Sequence, residues 1–203
     1  MATLVFFDTE HRYQKDGKDI PSVSELTRFL TREVYTETPQ FAMDAAASRG
    51  TLVHKATQSI DELGKVECES DIAPYVQAYV KFMKDIKPEW EKVEWMVSNE
   101  DRYAGTLDRY GKMNDLNVIL DIKTAANITG GHKVLYRAQL NLYRLAVLKE
   151  KKVDGLWVLQ LKKDGTYKLH QIEVDEPLAL ACLTMHEAIN KSKQKRRKKN
   201  DQS

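Results

Sequence analysis

The stretch "AGTLDRYGKMNDLNVILDIKTA", residues 104–125, gathers two acids and a lysine whose spacing could do chemistry. Its two flanks are rich in β-formers and meet at Asn114-Asp115, residue types that tolerate positive φ and so suit a two-residue hairpin loop. With that loop Met113 faces Leu116, and Asp108 then lies directly opposite Asp121. Opposed Cβ atoms in a hairpin are about 4.5–5.5 Å apart on one face. Lys123, two residues beyond Asp121, shares that face, whereas Ile122 points the other way. A longer loop would slip the register, and only an even slip keeps the three groups together.

Like charges placed opposite one another need compensation. A divalent cation supplies it. Mg²⁺ takes one or two carboxylates, waters and substrate phosphate as ligands, and the Ile122 backbone carbonyl is a candidate further ligand. Such an ion lowers the pKa of a bound water and neutralises charge at a phosphate. A nearby ammonium orients that water or stabilises developing negative charge. Asp108, Asp121 and Lys123 therefore suit phosphodiester hydrolysis. The alternative is a solvated strand face with ordinary ion pairs such as Asp108–Lys123 and Asp121–Arg109.

The elements that must carry this hairpin are legible in outline. "TLVFFDTEHRYQKDGKDI" reads as two strands and a Gly turn. Ser22-x-x-Glu25 is a capping box ahead of Leu26, Phe29 and Leu30, so a helix starts near Ser22. Residues 38–64 are helical in composition, with Gly50 expected to break them into two pieces, the second ending at Gly64. Residues 73–88 carry apolar positions at the helical period and stop at Pro88. Three β-rich segments follow, then a helical one from His132. Next comes a hairpin around Asp164-Gly165, and a last helix from Glu176. That order predicts an α/β fold with a central mixed β-sheet flanked by helices.

Composition fits this picture. The chain has 203 residues, 42% hydrophobic and 31% charged, which marks one globular domain rather than a disordered chain. Residues 1–190 form that domain in this reading, and 191–203, "KSKQKRRKKNDQS", a basic disordered tail. Without the tail, 25 basic residues face 29 acidic ones, so a mildly acidic body carries a basic end suited to a local polyanion contact. No apolar run is long enough to span a membrane, and the first residues do not read as a signal peptide, so a cytoplasmic location is expected, the host cytoplasm if the chain is phage-encoded. Cys68 and Cys182 are far apart, which disfavours a disulfide framework, a zinc site or an iron–sulfur cluster. No phosphate-binding Gly-x-x-x-x-Gly-Lys motif is present, so no nucleotide cofactor is expected.

Four short motifs in order resemble the PD-(D/E)XK nuclease superfamily, in particular its RecB-like exonuclease branch. They are "RGTLVHKA" with His54, "GTLD" with Asp108, "DIK" with Asp121 and Lys123, and "QLNLY" with Gln139 and Tyr143. The opening "HRYQKDGKDIPSVSEL" looks like phage- and mitochondrial-type members, and the resemblance spans roughly residues 10–175. It implies a PD-(D/E)XK, restriction-endonuclease-like fold and a Mg²⁺- or Mn²⁺-dependent DNA exonuclease. Asp108, Asp121 and His54 would be metal ligands, Lys123 the catalytic lysine, and Gln139 and Tyr143 substrate-positioning groups. A histidine ligand favours Mn²⁺ beside Mg²⁺. Glu94 is a candidate further acid, and Arg49, Lys55 and Lys133 are candidate phosphate contacts, although exposed charges on strands and helices are ordinary. DNA is the expected partner, with a recombination or replication protein as a further one and no membrane. The resemblance suggests phage-type recombination, repair or genome processing. The competing readings are a structure-specific endonuclease of the same superfamily and an inactive DNA-binding or inhibitory module.

Overall fold

The computed structural model describes residues 3–8, 10 and 12–200, with side chains described as far as Lys193. A small antiparallel meander comes first: β1 (Leu4–Phe7), β2 (Arg12–Lys15) and β3 (Lys18–Ile20), in that order. Two strands were legible in the sequence; the three-residue β3 is additional. The meander packs Tyr13 and Ile20 against Ala104 of the main sheet. The Tyr13 hydroxyl and Thr106 Oγ1, 2.9 Å apart, add a hydrogen bond across that junction.

The Ser22 capping box forms as expected. Ser22 Oγ accepts from the Glu25 N–H at 3.0 Å and the Glu25 carboxylate accepts from the Ser22 N–H at 2.9 Å. It opens α1 (Val23–Leu26), and α2 (Arg28–Val34) follows directly. Next, α3 (Gln40–Leu63) runs unbroken through Gly50, contrary to the expected break. A helical glycine costs about 1 kcal/mol relative to alanine, and the alanine-rich turns before it and the long helix absorb that cost. Gly64, at φ +70°, caps the end in the left-handed conformation. After it α4 (Ala73–Ile86) ends just before Pro88.

The main sheet comprises β4 (Glu89–Asn99), β5 (Tyr103–Met113), β6 (Leu116–Lys123), β7 (Gly155–Leu161) and β8 (Tyr167–Ile172), ordered as numbered. Only β6 and β7 run parallel; α5 (Gly130–Val147) provides their crossover. The β5–β6 hairpin has the expected register: Met113 pairs with Leu116 and Arg109 with Leu120, while Asn114 and Asp115 both take positive φ. Helices cover both faces. Ile119, Leu156 and Val158 pack in a cluster with α5 and α6 residues, whereas Val118, Leu120, Ile122, Leu159 and Leu161 pack with α3 and α4 residues. The last helix, α6 (Glu176–Asn200), keeps a helical backbone through residues 191–200, where the sequence predicts a disordered tail. Lys, Arg and Gln are good helix formers, and cations suit a helix C-terminus. Residues 201–203 of that segment lie outside the described ones.

Strand alternation should put residues three apart on opposite faces. Leu107 and Tyr110 nevertheless pack in the same cluster, so β5 changes face across Asp108 and Arg109. Its neighbour β4 is distorted at the same level: Glu94 has φ +45°, while Val93–Arg109 and Trp95–Leu107 pair normally on either side. Left-handed backbone at a non-glycine strand residue is costly, and such positions cluster at functional sites. Among the described residues no helix is long and apolar enough to cross a membrane. Cys68 and Cys182 are free thiols, the first exposed and the second buried.

Candidate metal and carboxylate site

The site lies where β4, β5 and β6 come side by side, in a cavity that residues of α3 and α5 also line. Asp108 sits on the middle strand and is buried. Its Oδ2 accepts the Ile122 N–H at 2.6 Å, so a side chain takes over where the backbone ladder between β5 and β6 stops. Its other oxygen, Oδ1, faces His54 Nδ1 at 3.6 Å. Glu94 Oε1 approaches the same nitrogen at 3.5 Å. Both separations are too long for good hydrogen bonds. His54 Nε2 donates instead to the Ile122 carbonyl at 3.2 Å.

One ligand atom from each of His54, Glu94 and Asp108 lies within 4.8 Å of the others. An imidazole and two carboxylates converging on a gap wider than a hydrogen bond form a donor set that fits Mn²⁺ or Mg²⁺. Burial by itself would depress the His54 pKa, but Asp108 and Glu94 outweigh it and raise it to about 9. Without a cation the imidazolium supplies the positive charge these acids require.

Asp121 and Lys123 form a second, adjoining unit. Lys123 Nζ lies 2.9 Å from Asp121 Oδ1 and 2.7 Å from Oδ2. Gln139 Nε2, from α5, donates to Oδ1 at 3.3 Å. Burial pushes the Asp121 carboxyl up, Lys123 opposes that push and Asp108 reinforces it. Burial would lower Lys123, but the Asp121 and Asp108 charges more than compensate and raise it. Tyr143, one turn beyond Gln139 on α5, is buried, which holds its phenol well above the ordinary range. A Cβ on Gly105 would come within 2.7 Å of the Tyr143 ring, so the ring reaches the sheet only because that position is glycine.

His54, Glu94, Asp108, Asp121, Ile122, Lys123, Gln139 and Tyr143 all line one cavity of about 1120 Å³. Arg49 and Lys55 line it too, while Lys133 is exposed on α5 and is not part of the wall. Two details differ from the expected arrangement. Glu94, ranked below the others in the sequence, joins His54 and Asp108 most closely, whereas Asp121 is turned to Lys123. The Ile122 carbonyl is engaged by His54. Sequence reasoning offered Arg109 only as a solvated ion-pair partner of Asp121, whereas it is buried and pairs with Asp61 and Glu94; Asp61, Thr57 and Tyr79, which complete this polar network behind the site, were missed. Arg109 directly follows Asp108, but its partners are remote in sequence, and no local pattern announces them.

The mixed sheet carries Asp108, Asp121 and Lys123 on its adjacent strands β5 and β6, and the flanking helices α3 and α5 carry His54 and Gln139. No family model and no curated protein matches the chain. Among solved structures it is similar to SSO0001, at 15% identity and TM-score 0.47, over 83% of this chain and 75% of that one. It is also similar to an alkaline exonuclease from Laribacter hongkongensis, at 12% identity and TM-score 0.42, over 87% and 91% of the respective chains. A phage-related exonuclease from Haemophilus somnus 129PT is similar at 12% identity and TM-score 0.40, over 82% and 89%.

Proposed function

We propose that this protein is a Mg²⁺- or Mn²⁺-dependent deoxyribonuclease that acts as an exonuclease on DNA ends. The observation that carries the reading is the convergence of His54, Glu94 and Asp108 next to the Asp121–Lys123 pair in one cavity. Binding DNA alone does not need acids assembled against a phosphate, so the intact set speaks against an inactive module. His54, Glu94 and Asp108 would hold the cation, with Asp121 the adjoining acid; when bound, the ion supplies Lewis-acid charge and a more acidic water. Lys123 presents its ammonium at the same wall, where it can orient a water or stabilise the charge that builds on the phosphate. Asp121 holds that ammonium in place, and Gln139 fixes the Asp121 carboxylate in turn. Arg49 and Lys55 give the cavity rim cations for the phosphodiester backbone.

The role in phage-type recombination, repair or genome processing follows from the resemblance of the motifs. The test uses end-labelled linear single- and double-stranded DNA and a closed circle, each with Mg²⁺, Mn²⁺ or EDTA. Metal-dependent shortening of linear DNA with circles spared is expected. Rapid cutting of circles would replace the exonuclease with an endonuclease of the same fold. No cleavage with either metal would remove the nuclease reading altogether.

A further inference from the structure

Arg109 is fully buried, which is rare for arginine unless it is paired. It is not among the residues that line the cavity. Its guanidinium is nevertheless connected to every member of the His54, Glu94 and Asp108 cluster. Nη1 donates to Glu94 Oε1 at 3.0 Å, the same oxygen that faces His54 Nδ1. Nη1 also donates to the Asp108 carbonyl at 2.7 Å. Nη2 donates to Thr57 Oγ1 at 3.0 Å, and the Thr57 hydroxyl donates to the His54 carbonyl at 3.0 Å. Nε donates to Asp61 Oδ2 at 2.6 Å, and the Tyr79 hydroxyl of α4 donates to that oxygen at 2.7 Å.

His54, Thr57 and Asp61 are spaced three and four apart, so they share one face of α3. Arg109 therefore grips the helical face that carries His54 while holding the acid on β4. Stability alone gives little reason for this arrangement, since well-packed apolar residues often do as well as buried ion pairs. A planar fork with five donors, however, fixes several acceptors relative to one another, which a lysine ammonium cannot do. We infer that Arg109 is the positioning residue of the metal site, setting the distance between His54 on α3 and Glu94 on β4. The inference rests on the proposed metal site.

The experiment measures Mn²⁺ affinity of the full chain by electron paramagnetic resonance, at a temperature where circular dichroism shows every variant folded. Arg109→Lys keeps the charge and loses the fork. Thr57→Val breaks only the link from Arg109 to the His54 carbonyl and serves if Arg109→Lys does not fold. Loss of such a supporting group typically lowers metal affinity 10–100-fold, and a drop of that order is expected for Arg109→Lys, with a smaller one for Thr57→Val. Phe82→Leu, in the α4 core, is the control for destabilisation alone and should leave Mn²⁺ affinity unchanged. Wild-type affinity in the Arg109→Lys or Thr57→Val protein would overturn the inference. So would a loss in Phe82→Leu that matches theirs at equal thermal destabilisation. If the wild-type chain binds no Mn²⁺, the metal site itself is wrong and this role falls with it.

Discussion

Near pH 6.5 the His54 imidazole carries a proton that any cation seeking Nδ1 must displace. Burial would lower its pKa, but the Asp108 and Glu94 carboxylates raise it to about 9. Proton competition then weakens metal binding roughly 300-fold at about pH 6.5 and roughly tenfold at about pH 8, because ligands bind deprotonated. Mn²⁺ affinity of the wild-type chain should accordingly rise about 30-fold over that interval. Titration by electron paramagnetic resonance at the two pH values measures it. His54→Ala should bind more weakly and change less than about threefold, since the competing proton is lost with the imidazole. A flat wild-type affinity, or the full rise surviving in His54→Ala, would refute the argument. Metal-free stability should show the opposite slope. A folded-state pKa above the unfolded value of about 6.5 gives stability that is complete below that value and lost as pH rises toward 9. The shift corresponds to roughly 3 kcal/mol, so in EDTA the melting temperature should fall over this window. The decline should be absent in His54→Ala.

Asp108→Ala, Asp121→Asn and Lys123→Ala should each reduce DNA cleavage by at least about 100-fold, and pairs of them hardly further, because groups acting as a unit are non-additive. Near-wild-type turnover in any one of them would dismiss that residue from the site. Gly105→Ala would press a methyl group within 2.7 Å of Tyr143 and 3.1 Å of Val23, and should cost about 1–3 kcal/mol by thermal denaturation. An unchanged melting temperature would show that the Tyr143 ring is not held there. Ending the chain after Asn190 removes seven Lys/Arg and should flatten the salt dependence of DNA affinity, by about 0.7–0.9 in log–log slope for each phosphate that those cations neutralise. The same slope with and without those residues would make the segment a bystander.

The sequence foretold most where a local rule fixes geometry. Asn114-Asp115 tolerates positive φ at both loop positions, so the β5–β6 register could be read directly. Ser22 with Glu25, and Gly64 with its left-handed φ, announced helix ends for the same reason. Gly50 misled because a local helix penalty was outweighed by the long helix around it. Strict alternation could not reveal that Glu94 stands beside His54, because it cannot foresee a left-handed residue inside a strand. The partners of Arg109 come from α3, α4 and β4, and only the folded chain brings them to one guanidinium. The three residues of β3 form too short a run for any periodicity to reveal.

Asp108 is a rung of the sheet as well as a wall of the cavity, because its Oδ2 stands in for the missing carbonyl opposite the Ile122 N–H. With His54 charged, the acids are also neutralised before any ion arrives. The pocket is thus preformed, unlike small zinc modules that are unfolded until metal gathers their ligands. Chelation should silence such a protein while leaving it folded, and returning the ion should restore it without refolding. Loading then adds stability only by mass action, about 2.7 kcal/mol at a hundredfold excess over Kd. Melting temperature in a chelator titration therefore becomes a gauge of occupancy that needs no substrate.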